Sequence, residues 1–149
     1  MPKVGYTMDF ESEKTAKAMA RELRISPKHA YEIARTIKGM KLEDARRLLE
    51  NVVAKKVPIP MRRYKRDVGH RKGIGPGRFP VKSANEFLKL LKNAENNAKY
   101  KGLNPAKMRI LHVCAKKGRT MYAIFPRARG RATLKRRESV HIEVIIGEV

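Results

Sequence analysis

Lys116-Lys117-Gly118-Arg119-Thr120-Met121-Tyr122-Ala123-Ile124-Phe125-Pro126-Arg127-Ala128-Arg129-Gly130-Arg131-Ala132-Thr133-Leu134-Lys135-Arg136-Arg137-Glu138 is the stretch that decides the fold. Thr120 to Phe125 is β-prone, and Pro126 to Arg131 is a turn with arginine at every second position. Two antiparallel arms of roughly 10 residues, rising about 3.3 Å per residue, would project on the order of 30 Å from a domain. An isolated two-stranded ribbon is marginal in water. This one has few apolar residues to bury, and its single acid, Glu138, stands at its end. Something outside the domain must hold it, and a surface of RNA phosphates has the required charge. Alternation along a ribbon would also set the guanidinium groups of Arg127, Arg129 and Arg131 on one face, each a rigid fork suited to phosphate and base edges.

The flanks show where the arms begin. Strand character starts near Met108 and covers Ile110 to Ala115. After the turn, Val140, Ile142, Val144 and Ile146 alternate with His141, Glu143 and Ile145. Period-two alternation predicts a strand with one buried face. Further upstream the period changes. Ala84, Phe87, Leu88, Leu91, Ala94 and Ala98 form a helical stripe after Pro80, ended by Gly102 and Pro105. Ser26-Pro27 gives an N-cap and a proline at the first helical position, followed by Ala30, Ile33, Ala34 and Ile37, with Gly39 as the stop. A further helix runs from about Leu42 to Lys55, burying Leu42, Ala45, Leu49, Val52 and Val53. Residues 1–25 are ambiguous. Lys14 to Leu23 has helix-forming composition, yet Ala16, Ala18 and Ala20 alternate as in a strand, and composition leans towards helix.

Between the second and third helices the chain changes character. Val57-Pro58-Ile59-Pro60 breaks the helix, and Gly69, Gly73, Gly75, Pro76, Gly77 and Pro80 prevent another. Arg62, Arg63, Lys65, Arg66, Arg71, Lys72 and Arg78 fall here, with Asp67 the only acid. A loop this long is functional or disordered, and so basic a loop is expected to order poorly without phosphates. Gly73-Ile74-Gly75-Pro76-Gly77-Arg78 superficially resembles a phosphate-cradling loop. It lacks the Lys-Ser or Lys-Thr ending, and Pro76 removes an amide donor.

The 149 residues carry a net charge of +22, which calls for a polyanionic partner. Nucleic acid leads, because phosphate contacts release counterions; an anionic membrane surface is the competitor. No run of about 18 apolar residues and no charged-then-apolar leader is present, so membrane insertion and secretion are not expected. Cys114 is the only cysteine. It excludes an internal disulfide and multi-cysteine zinc sites, and its apolar setting predicts a packing role. His29, His70, His112 and His141 share no metal-ligand spacing with each other or with acids; His70 lies in the basic loop and could touch RNA. No nucleophile–base constellation or paired carboxylates argue for catalysis, and no metal or cofactor is implied. With no Trp and 6% aromatic residues, phosphate contact must outweigh base stacking.

Phe125 to Ala132, the basic run to Arg137 and the strand Ser139 to Ile146 closely resemble the hairpin signature of the large-subunit ribosomal protein twenty-two family (universal L-twenty-two; L-seventeen in eukaryotes). Ser26-Pro27-Lys28 with Ile33 to Gly39, and Phe87 to Tyr100, match its helices. The basic insert from Val57 to Val81 looks like the archaeal and eukaryotic form. The resemblance implies an α+β fold, three helices packed on a small antiparallel sheet with a long extended hairpin, as one domain over 1–149. It also implies a strand within about Thr15 to Ile25, against the lean of composition. It implies a cytoplasmic, ribosome-bound protein whose domain sits on the outer face of the subunit near the peptide exit. The hairpin would thread through large-subunit rRNA beside neighbouring ribosomal proteins, and its tip, Pro126, Arg127, Ala128, Arg129, Gly130 and Arg131, would line the tunnel taken by the nascent peptide. Expected rRNA contacts are the seven insert cations named above, Lys116, Lys117, Arg119, the tip arginines, Lys135, Arg136 and Arg137. The rival classes are a chromatin or DNA-binding architectural protein, which a Leu or Phe wedge beside the arginines would favour, and a basic enzyme acting on RNA.

Overall fold

The computed structural model describes residues 5–148, so residues 1–4 and 149 of the expected 1–149 unit lie outside it. The architecture is α+β: three helices on a three-stranded antiparallel sheet, with a second, much smaller sheet. β6 (Ala132–Glu148) is the middle strand of the larger sheet, between β1 (Thr15–Leu23) and β5 (Met108–Pro126). Register runs from Thr15↔Gly147 to Leu23↔Val140 on one side and from Met108↔Glu148 to Pro126↔Ala132 on the other. Directly opposed residues share a face. Ala16 and Ala18 therefore join Ile146 and Val144, together with Ile110 and Val113, in the core.

Three helices cover that face. α1 (Pro27–Ile37) lies on β5, α3 (Val81–Tyr100) lies on β1, and α2 (Leu42–Val53) packs against α3. Phe87, Ile33, Ile37, Leu49 and Leu91 are fully buried between them, each stabilising by roughly 2 kcal/mol relative to exposure. The helical spacing read from the sequence is what places them there, with Val53 and Leu88 only partly covered. Ser26 occupies the N-cap position of α1 ahead of Pro27, but its side chain makes no capping bond. After Gly39 the chain is tied to the sheet, with the Gly39 amide donating to Ile110 O and the Ile110 amide to Met40 O, both at 2.9 Å.

Three features depart from the sequence reading. β1 is the strand that the family resemblance implied within about Thr15 to Ile25, and it departs only from the helical lean of composition over Lys14–Leu23: Ala16 and Ala18 are buried in the core beneath α3, where the Asn97 side-chain amide donates to Lys17 O. β6 has two buried faces over Val140–Ile146. The segment before β1 crosses the face opposite the helices: Thr7 bonds Glu143, Lys116 donates to Gly5 O, and Lys17 pairs with Asp9. The insert is also not a bare loop. β2 (Ile59–Pro60), β3 (His70–Arg71) and β4 (Gly75–Arg78) form the small sheet in the order β2-β4-β3, with Ile59 and Met61 buried in the main core.

Candidate nucleic-acid interface

From Lys116↔His141 to Pro126↔Ala132 the β5–β6 ladder extends about 30 Å at the usual rise. Beyond a bulge at Gly118–Arg119 the outer seven pairs, Thr120↔Glu138 to Pro126↔Ala132, stand away from the helices, and residues 121–137 are exposed on both faces. The aim of the hairpin is set at that bulge. Gly118 is required there: a Cβ would lie 2.5 Å from Ser139 Oγ and 3.0 Å from His141 Nε2. Ser139 Oγ lies 2.8 Å from Arg119 O and 3.0 Å from Glu22 Oε2, with one proton to share. The Glu22 amide donates to His141 Nδ1 at 3.1 Å. An acceptor Nδ1 puts the ring proton of a neutral imidazole on Nε2, 3.4 Å from Glu22 Oε1. β1 and β6 are thereby fastened together beneath the hairpin root.

The tip differs from the expected row of guanidinium groups. Pairing ends at Pro126↔Ala132, and Arg127–Arg131 make the turn itself, with the Arg127 amide donating to Arg131 O. Arg129 sits at the apex in the left-handed region, φ 58°, before Gly130 at φ 71°. Arg127 lies over the Phe125 ring at 5.0 Å, and its Nε is 3.3 Å from Thr133 Oγ1. The three arginines surround a turn because the left-handed step at Arg129 breaks ribbon alternation.

In the insert, Arg62, Arg63, Arg66, Arg71, Lys72 and Arg78 are exposed, and Lys65 is half-buried. The buried Glu32 of α1 holds this segment, its Oε1 accepting from the Arg63 amide at 2.7 Å and the Tyr64 amide at 2.8 Å. The Arg63 guanidinium lies 5.2 Å from the Tyr31 ring and 5.4 Å from that of Tyr64, and Arg71 covers Phe79 at 5.3 Å. The glycine stretch 73–78 is the β3–β4 turn and β4 itself. Of the expected stem residues, Arg119, Lys135, Arg136 and Arg137 are exposed. Lys117 pairs with Glu138 at 3.0 Å, and the Lys116 ammonium is 2.8 Å from Glu143 Oε2.

Glu143 is the centre of a buried polar group on the sheet face away from the helices. Its carboxylate takes bonds from Thr7, His112 Nε2 at 3.0 Å and Lys116. Burial would raise the Glu143 carboxyl, but the hydrogen bonds from Lys116, Thr7 and His112 outweigh it and hold it below its usual range. Cross-strand pairing brings His112, Cys114 and Glu143 together with ligand atoms within 4.8 Å, a cluster that spacing along the chain could not reveal. A cation there would compete with the Lys116 ammonium for Glu143. Burial and the Glu143 charge push the Cys114 thiol up, so it stays protonated. Glu143 and Lys116 secure the segment before β1, through Thr7 and Gly5 O.

A long cationic hairpin on a three-helix α+β body is now joined by direct comparison. The family model described as "Ribosomal protein L22p/L17e" matches residues 18–147. The chain belongs to the ribosomal protein L22p/L17e family. Large ribosomal subunit protein uL22 of Methanocella arvoryzae is 53% identical over 152 residues, covering 100% of this chain and 99% of the relative. The proteins of that name from Methanococcoides burtonii and Methanocaldococcus jannaschii are each 50% identical, covering 100% and 99% of this chain and 99% and 97% of those relatives. All three are archaeal.

Several residues escaped the sequence reading. Glu32 and Glu143 look like ordinary surface acids on amphipathic elements, and nothing local marks them as anchors. Tyr122, Ile124 and Leu134 are more legible. Tyr122-x-Ile124 alternates, and Ile124 pairs with Leu134, leaving an exposed apolar strip on one hairpin face at 62%, 70% and 60% exposure.

Proposed function

We propose that this chain is a structural, non-enzymatic constituent of the large ribosomal subunit that binds large-subunit rRNA. In this reading it is one domain over 1–149, cytoplasmic as part of the ribosome, with two rRNA-binding projections, the insert 57–81 and the hairpin 116–138. The hairpin ties rRNA segments together, and its tip, residues 126–131, lines the path of the nascent peptide beside neighbouring subunit proteins. The observation that carries this reading is the exposed hairpin beyond Thr120, which bears Arg127, Arg129, Arg131, Lys135, Arg136 and Arg137 and stays exposed on both faces among the described residues. Relatives named as large-subunit proteins support the assembly in which it would be held. Among the described residues no helix is long and apolar enough to cross a membrane.

The DNA-binding alternative has one observation in its favour, since Ile124, Phe125 and Leu134 are exposed near the tip and could wedge between base steps. Titration of the full chain with an rRNA fragment and with duplex DNA separates the readings. Each phosphate contact should add about −0.9 to the log–log salt slope on duplex and about −0.7 on single strands. The rRNA reading requires a steep slope and tighter binding to rRNA. Equal or tighter binding to DNA would favour the alternative.

A further inference from the structure

Regular pairing beyond the bulge sorts the outer hairpin into two unlike faces. Register runs unbroken from Thr120↔Glu138 to Pro126↔Ala132, so opposed residues share a face and successive residues alternate. One face carries Met121, Ala123, Phe125, Thr133, Lys135 and Arg137. Arg127 folds back over it, its guanidinium on the Phe125 ring and its Nε beside Thr133 Oγ1. The other face carries Tyr122, Ile124, Pro126, Ala132, Leu134 and Arg136. The first face therefore holds Lys135, Arg137 and Arg127, whereas the second holds Arg136 alone, near its root. Glu138, the one acid of the hairpin, pairs with Lys117 at 3.0 Å.

Phosphates suit the first face but leave the second nothing to bury. Ile124 and Leu134 are directly opposed and Tyr122 follows two residues along, so three large exposed side chains form one apolar strip. Such a strip marks an interaction surface, and its surroundings select the occupant. Arg136 stands across from Tyr122, the turn beyond Pro126 holds three arginines, and the only acid nearby is neutralised. A polyanion matches that setting, and a basic protein surface is repelled by it. The broad apolar surface that a nucleic acid offers is the face of its bases. A double helix keeps those faces stacked on one another, and they come free only where the strand is unpaired. Tyr122 and Arg136 are a ring and a planar guanidinium side by side, the two side-chain shapes on which bases stack.

We propose that the Tyr122–Ile124–Leu134 face is a platform for unpaired RNA bases, while the Lys135–Arg137 face tracks phosphates. The proposal rests on the RNA-binding reading above; it specifies the kind of RNA and the side of the hairpin that meets it. Because the two faces lie back to back, the ribbon is held between a sugar–phosphate backbone on one side and splayed bases on the other. One hairpin can thereby join two RNA segments of different structure. Phosphate contact supplies most of the affinity, and the apolar platform supplies the preference for unpaired strand.

The test uses the full-length protein and two RNA hairpins with equal numbers of nucleotides, one fully paired and one with a central run of unpaired nucleotides. The second should bind on the order of tenfold more tightly, the effect of about one stacked base. The triple variant Tyr122→Ser, Ile124→Ser, Leu134→Ser should bring that ratio close to one and leave both salt slopes unchanged, because no charge is removed. Lys135→Gln with Arg137→Gln should do the reverse, weakening both RNAs and flattening both slopes while the ratio persists. All five residues are exposed, so the body folds in either variant. A wild-type ratio near one, or a ratio that survives the serine variant, would overturn the proposal. So would a ratio lost equally in the glutamine variant, which would make the preference electrostatic. In large subunits from cells, a photo-reactive side chain at Ile124 should crosslink to rRNA, and a protein adduct alone would make the strip a protein site. Salt-dependent binding of the paired RNA is read in the same titration. Its persistence without a preference for unpaired strand overturns the platform alone, and its absence overturns the broader RNA reading.

Discussion

The insert and the hairpin look alike as sequence, each a glycine- and proline-containing run crowded with lysine and arginine, yet the structure builds them on opposite principles. The insert is folded onto the body. Ile59 and Met61 enter the core, Glu32 grips the backbone at Arg63 and Tyr64, and the chain curls into its own small sheet. The hairpin leaves the body at the Gly118 bulge, and among the described residues, 121–137 stay exposed on both faces, with the outer seven pairs joined to each other. Charge density alone does not say whether a basic segment is anchored or free. What decides is whether apolar or buried acidic residues tie it to the core.

The largest effects expected from this contrast come from two deletions. Removing residues 57–81 takes Ile59 and Met61 out of the core, each contributing roughly 2 kcal/mol, and should leave a chain that no longer unfolds cooperatively. Replacing Thr120–Glu138 with a short glycine turn should leave thermal unfolding almost unchanged but reduce incorporation into large subunits at least severalfold. Calorimetry and quantitative sedimentation read the two separately. A hairpin deletion that unfolds the body would erase the distinction.

Next in size is Glu143, whose network closes the sheet face behind the hairpin root. Glu143→Gln leaves Lys116 and His112 without their charged partner and should cost about 3 kcal/mol at neutral pH. The folded carboxyl lies below its usual value, so its stabilisation is complete above the unfolded value of about 4.3 and is lost as pH falls through the folded one. The gap between wild type and variant in urea unfolding should therefore close in acid. A gap that widens there would show that the sign is wrong.

Glu32 sharpens the comparison on the insert side. Glu32→Ala removes the acceptor for the part-buried Arg63 and Tyr64 amides and should cost about 1–2 kcal/mol. Amide exchange should accelerate at Arg63 and Tyr64 while the hairpin amides keep their rates. Equal acceleration in both projections would mean that they form one cooperative unit.

The helices were legible because their apolar residues recur on one stripe, from Ala30 to Ile37 and from Ala84 to Ala98. The hairpin was legible as a β-prone run, a Pro–Gly turn and a returning alternation. β1 was not, since an alanine, lysine and glutamate composition favours helix until pairing with β6 and the closeness of α3 override it. β6 was read with one buried face because the cover for the other comes from residues 5–14, far away in sequence. The His112–Cys114–Glu143 cluster was hidden for the same reason: His112 and Cys114 are two residues apart on β5, but Glu143 lies on the neighbouring strand. The small sheet was missed because β2 and β3 are two residues each and β4 is Gly75–Arg78, where glycine and proline read only as turn.

The smallest effect expected is at the tip. Exposed cation contacts are worth roughly 1 kcal/mol or less each in salt, so replacing Arg127, Arg129 and Arg131 with alanine should leave incorporation largely intact while Arg119, Lys135, Arg136 and Arg137 remain. Ribosome profiling should nevertheless register altered passage of nascent chains. A triple variant that assembles as poorly as the hairpin deletion would make the tip an anchor.

The central claim is that this chain works as a fixed part of the large subunit, held by rRNA. Sedimentation of the tagged full-length protein from its own cells through a sucrose gradient tests it most directly. The account predicts that the protein travels with the large-subunit and whole-ribosome fractions and is released only at high salt. Recovery mainly at the top of the gradient, or with chromosomal DNA, would contradict it.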